Sequence, residues 1–179
     1  MGILPVDSLA ASVFCFLKLA LSFCSGAAAL APPLVPSDLL SGCTQLVMVA
    51  GGGRDLPWPV ERVAAHLLQA SCGLCVRLLL HGAARGADQA IAAAAEQLGW
   101  PQLPCPAQWD RHGRSAGPIR NRLMLVCALE RVAALPQGCG LLVIGFPGAR
   151  GTRSLLEQAR GMAERASSFR VAVLQIPGA

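Results

Sequence analysis

From residue 45 onward, the chain alternates short, β-branched apolar runs with longer Ala-rich stretches of helical period. Residues 46–50 (LVMVA) predict a strand that ends in a run of three glycines, Gly51 to Gly53. Residues 59–70 predict a helix, with proline in the first turn where its missing N–H costs nothing. Residues 76–81 predict a second strand, 87–98 an Ala-rich helix and 103–106 a short third strand. A helix over 118–134, a strand over 139–146, a helix over 152–166 and a strand over 170–176 complete the pattern. Strands that are apolar throughout must be covered on both faces, which calls for a parallel sheet between two helical layers. With right-handed crossovers, the expected fold is α/β. It is a single Rossmann-like, doubly wound parallel sheet of about five strands with flanking helices, spanning residues 45–179.

Residues 1–44 break this rhythm. SVFCFLKLALSFCSGAAALAPPL is apolar, but Lys18 interrupts it and Pro32-Pro33 close it. A signal peptide would carry an early cation, whereas Asp7 stands there. A membrane span would have to accept Lys18 inside its apolar run. The segment is expected to be a poorly structured extension. A membrane or export segment, a docked helix and a start further downstream, for which Met48 is the next methionine, stay open as alternatives.

Composition adds a preference for anions. Fourteen arginines stand against one lysine, Lys18. Coding bias of a GC-rich genome accounts for part of this; beyond it, a guanidinium fork grips phosphate bidentately and an ammonium does not. Residues 45–179 carry fourteen arginines against eight acids, a net +6 that suits a phosphorylated ligand. No run of consecutive basic residues announces a nucleic-acid arm. Among eight cysteines, Cys127 and Cys139 lie in apolar runs, where a free thiol packs as a small hydrophobe. Cys72-Gly-Leu-Cys75 is a lone CxxC ahead of a strand, with no second pair at zinc spacing and no helix start to lower a thiol pKa. Reduced thiols, no metal and a cytoplasmic location are expected.

In a doubly wound sheet, ligands bind outside the carboxyl ends of the strands. The polar residues of this chain collect in loops at that edge. GGGRD, residues 51–55, offers Gly52 and Gly53 for close backbone approach, with Arg54 and Asp55 beside them. HGAARGAD, residues 81–88, brackets Arg85 with Gly82 and Gly86. Its Asp88 either complements a helix dipole or accepts ribose hydroxyls; His81, at a strand end, reads as a hydrogen-bonded structural residue. FPGARGT, residues 146–152, runs through Pro147, Gly148 and Gly151 to Thr152, which caps a helix or donates to an anion. Between these lies PAQWDRHGRSAGPIRNRLML, residues 106–125, a connection long for an α/β loop up to Gly117. Trp109 offers a flat face for a base, and a helix beginning at Pro118 would set Arg120, Asn121 and Arg122 in its first turn. Cations are disfavoured there by the macrodipole, so an anionic ligand would explain them.

Together, GGRD, HGAARGAD, PAQWDRHGRSAGPIRNRLML and FPGARGT resemble the YspA/YpsA-related branch of the SLOG superfamily, in order over residues 46–176. That superfamily takes its name from the DNA-processing Smf/DprA and the Lonely Guy (LOG) relatives. The resemblance implies a Rossmann-like domain that binds nucleotides or nucleotide-derived ligands, in some branches as a sensor or generator of nucleotide signals. It also implies a common tendency to self-associate. LOG relatives release the base from nucleoside monophosphates; their signature pairs an Arg-Lys…Met helix start with a PGGxGTxxE loop. Arg120-Asn121-Arg122-Leu123-Met124 is similar to the first part, and Pro147 to Thr152 to the second, with Ala149 in place of the middle glycine. Leu155 stands where the LOG catalytic glutamate falls, and a leucine can neither stabilise a cationic sugar nor activate water.

The leading expectation is therefore binding of a nucleotide or nucleotide-derived small molecule by a sensor or accessory protein, with no other cofactor assigned. The expected ligand residues are Gly52, Gly53, Arg54, Asp55, Gly82, Arg85, Gly86, Asp88, Trp109, Gly117, Arg120, Asn121, Pro147, Gly148, Gly151 and Thr152. Two alternatives accompany it. One is a phosphoribohydrolase-like enzyme in which Asp88 or Asp110 acts with Arg120 in place of the missing glutamate. The other is single-stranded nucleic-acid binding, with Trp109 stacking a base.

Overall fold

The computed structural model describes residues 40–135, 138–166 and 168–178, and the readings of residues 1–39 lie outside them. The elements alternate as β1 (Gln45–Gly51), α1 (Val60–Ser71), β2 (Cys75–His81), α2 (Ala87–Gln97) and β3 (Gln102–Pro104). A short helix α3 (Trp109–His112) and a 3-10 turn (Gly113–Ser115) lead into α4 (Ala116–Ala134). Then come β4 (Cys139–Gly145), α5 (Arg150–Ala163) and β5 (Val171–Gln175). All strand pairs are parallel and the sheet order is β3-β2-β1-β4-β5. The fold is the expected Rossmann-like α/β sheet.

Two apolar layers hold it together, and β1 divides its side chains between them. Leu46, Met48 and Ala50 pack with α1 and α2, while Val47 and Val49 pack with α4 and α5. This is why β1 is apolar from Leu46 to Gly51 and why period-2 alternation is absent from it. The first layer reaches back to Leu40 and Cys43, which are buried in it. Because consecutive strands run outward from β1 in both directions, the order reverses between β1 and β4. That reversal opens a crevice at the carboxyl edge. β1 and β4 end level there, Gly51 opposite Gly145, and the Phe146 N–H donates to the Gly51 carbonyl at 2.8 Å.

Two helix starts differ from the sequence reading. α4 begins at Ala116, ahead of Pro118, because the short helix and 3-10 turn deliver a chain that is already helical at Ser115 (φ −83°, ψ −11°). Proline fits the third position, since the first N–H groups of a helix have no acceptor within it. Arg120, Asn121 and Arg122 therefore fall in the second turn, where the macrodipole argument for a nearby anion loses its force. α5 likewise begins at Arg150, with Ala149 at the cap position and no side-chain cap, so Thr152 does not cap it. No helix among the described residues is long and apolar enough to cross a membrane.

Candidate functional site

At the reversal, the loops after β1 and β4 interlock. The Gly53 N–H donates to the Pro147 carbonyl at 2.9 Å, and the Gly53 carbonyl accepts from Ala87 at 2.9 Å. A Cβ on Gly52 would stand 2.6 Å from that of Ala87; one on Gly53 would stand 2.9 Å from the Pro147 oxygen. A Cβ on Gly148 would collide with the Thr152 hydroxyl. These glycines let loop pack on loop, and their bare faces are filled by protein. Gly151 is different: nothing lies within 4 Å of its missing Cβ.

The head of α5 is consequently open. Among the described residues, no acceptor takes the backbone N–H groups of Arg150, Gly151 or Thr152. Thr152 is 7% exposed, and its buried Oγ1 has no hydrogen-bond partner among the described residues. It lines a cleft of about 130 Å³ with Phe146, Gly148, Arg153, Leu156, Arg160 and Gln175. Asn121 ties this region to α4, because its buried Nδ2 donates to the Gly151 carbonyl at 3.1 Å. The side chain expected to meet an anion thus bonds the first turn of α5.

A second cluster forms at the end of β2. Asp88 is 4% exposed; its Oδ2 accepts from the Ala84 N–H at 3.1 Å and faces Arg120 Nη1 at 3.6 Å. The same Nη1 reaches the Cys105 carbonyl at 3.5 Å. Gly82 makes this possible, since the guanidinium and the Asp88 carboxylate fill the space a side chain there would need. Burial pushes the Asp88 pKa above its ordinary value, outweighing the Ala84 N–H, Arg120 and His81. Burial lowers that of His81, against the upward pull of Asp88 and Gln102. His81 is buried and its Nδ1 accepts from the Ala83 N–H at 3.3 Å, in keeping with a structural role. Arg120 and Cys105 also border a cavity of about 230 Å³ between the 105–108 segment and the α4 face carrying Ile119, Leu123 and Met124.

The rim joins the loop after β1 to α3. The Arg54 guanidinium lies 5.4 Å from the centre of the Trp109 ring, which is 48% exposed and packs beside Gly117. Gly86, at φ +77°, backs directly onto the Arg54 carbonyl. On the outer side of the loop, Trp58 is held between the Arg62 guanidinium, at 3.7 Å, and the stacked ring of His66, at 5.2 Å. Asp55, Arg85 and Asp110 are exposed, and none makes an ion pair or hydrogen bond with another described residue through its side chain. Leu155 is buried in the core beneath Gly51.

Residues 47–112 match the family described as the YspA, cpYpsA-related SLOG family, YAcAr. Over that stretch the chain is similar to this family. The match runs from β1 through α3, so it includes Arg54, Asp88 and Trp109. Arg120 and the head of α5 lie beyond it. No curated protein and no solved structure matches the chain.

Beside the residues expected from the sequence, the structure brings to these clefts the Cys105 carbonyl, Gln175, and the pair Arg153 and Arg160. Backbone carbonyls and strand-end amides leave no mark in a sequence. The arginine pair does, because residues seven apart share a helix face.

Proposed function

We propose that this Rossmann-like domain binds a nucleotide or nucleotide-derived ligand, with a phosphate at the head of α5, as a sensor or accessory protein in nucleotide signalling. The observation that carries the reading is the Thr152 hydroxyl, buried without a partner beside three unfilled backbone N–H groups. A buried polar group left unsatisfied costs about 1–3 kcal/mol, and a phosphate oxygen would remove that cost. Helix N-termini favour anions through both their donors and their dipole. The position, where the strand order reverses, is where open α/β sheets hold their ligands. Trp109 and Arg54 supply a flat, cationic rim suited to a base. The likeness of residues 47–112 to a SLOG family supports a nucleotide-related role. The reading concerns binding, since Leu155 puts a buried apolar side chain where the LOG carboxylate would fall. A cytoplasmic setting is supported by the six free thiols among the described residues.

The test is mass spectrometry of what co-purifies with the protein, joined to thermal-shift screening against nucleoside mono- and diphosphates, NAD, ADP-ribose and cyclic nucleotides. At one hundred times its Kd a true ligand stabilises by about 2.7 kcal/mol. The reading fails if no phosphate-bearing compound raises Tm and Thr152→Val responds as the wild type does.

A further inference from the structure

We infer that the cleft beside α5 receives a second phosphoryl group, so that the ligand is a diphosphate rather than a monophosphate. This rests on the phosphate site at the head of α5 and extends it toward β5.

Arg153 and Arg160 are two turns apart on one face of α5, and both border the cleft that Gly148 and Thr152 also line. Neither has an ion-pair partner among the described residues, although Glu157 lies between them on the same helix. Two guanidinium groups on one wall, each with free donors, match the spread of charge along a diphosphate better than the single charge centre of a monophosphate. Gln175, at the end of β5, adds an amide that can donate to the same group. At about 130 Å³ the cleft offers several times the space that one water needs.

The strand order gives the direction. The loop after β4, which carries the head of α5, lies between the loop after β1 and the end of β5. A ligand with its base near Trp109 and Arg54 and its first phosphate at Thr152 therefore points its next phosphate at Arg153 and Arg160. The feature is distinct from the buried pair of Asp88 and Arg120, which lies at the end of β2 on the other side of β1.

Calorimetry with inorganic phosphate and pyrophosphate tests it on the full chain. Wild-type protein is expected to bind pyrophosphate at least tenfold tighter than phosphate. Arg153→Ala/Arg160→Ala should lower pyrophosphate affinity at least tenfold while phosphate stays within about twofold. Thr152→Val should weaken both anions. Arg77→Ala/Arg131→Ala, which removes equal charge from exposed positions outside the cleft, should leave the preference intact. Equal affinity for the two anions, or pyrophosphate binding unchanged in Arg153→Ala/Arg160→Ala, overturns the diphosphate inference and leaves the phosphate site standing. Binding of neither anion overturns both. Matching melting curves for the two double variants and the wild type exclude misfolding as the cause.

Discussion

Arg120 Nη1 stands 3.6 Å from Asp88 Oδ2, directly over the bare α-carbon of Gly82. The glycine, the acid and the arginine form one unit: a side chain at Gly82 would displace the guanidinium and leave a buried carboxylate without its counter-charge. Gly82→Ala is therefore expected to destabilise the fold by about 3 kcal/mol, as overpacking and loss of a buried pair combine. Arg120→Ala should cost a similar amount, and Asp88→Asn/Arg120→Ala less than the sum of its two single changes. Urea denaturation of the four variants measures this; strict additivity between Asp88 and Arg120 would mean that the pair is not coupled.

Burial holds the pKa values of both His66 and His81 below their ordinary 6.5. The folded chain keeps these rings neutral at a pH where the unfolded chain protonates them. Their contribution to stability is thus fully present above about pH 6.5 and falls as pH drops below it, until the lowered values are reached. Asp88 has the opposite sign. Its raised pKa adds stability that is complete below 3.8 and is lost as pH rises through the folded value. Thermal melts from pH 8 to pH 5 should show Tm declining below about 6.5, with a shallower decline in His66→Gln/His81→Gln. An equally steep decline in that variant would assign the effect to other groups.

The strands were legible because β1 and β4 are buried on both faces from their second residue on, and β2 over its last three residues, and such burial leaves an apolar run. Helix starts were harder. Pro118 and Thr152 look like boundary residues, yet proline is accepted anywhere in a first turn, and Thr152 is drawn inward beneath Gly148 while Ala149 takes the cap position. The loops could be read from their glycines and arginines. What each glycine does could not: Gly52, Gly53 and Gly148 serve contacts between loops that only the parallel pairing of β1 with β4 brings together. Arg120 was found, but its partner Asp88 belongs to another βα unit, so their pairing is a product of the sheet order.

Thr152 sets stability against binding. Valine keeps the side-chain shape and removes a hydroxyl that has no partner among the described residues. Thr152→Val is expected to raise the Tm of the free protein by about 2–4 °C, corresponding to about 1 kcal/mol. Stabilisation by saturating phosphate should fall sharply in the same variant. A free-state Tm lowered by the change would show that the hydroxyl is satisfied in solution, by water for instance, and would remove the argument for a ligand oxygen there.

Trp109 gives the rim its own signal. Its ring is half-exposed beneath the Arg54 guanidinium, whereas Trp100 is buried in the core and Trp58 is held between Arg62 and His66. A base stacking at the rim must cover Trp109 or displace Arg54 from it, and either event changes its fluorescence. Nucleotide addition is expected to quench the tryptophan emission. The quench should disappear in Trp109→Leu and persist in Trp58→Phe, while affinity drops about tenfold in Trp109→Leu, in line with the 1–3 kcal/mol of a base–aromatic stack. Arg54→Ala should weaken binding less, since an exposed cation–π contact is worth about 0.5–1 kcal/mol. Inorganic phosphate, having no base, should bind without any quench. A quench by phosphate equal to that by nucleotide would place the spectral change at the head of α5 and take the base away from Trp109.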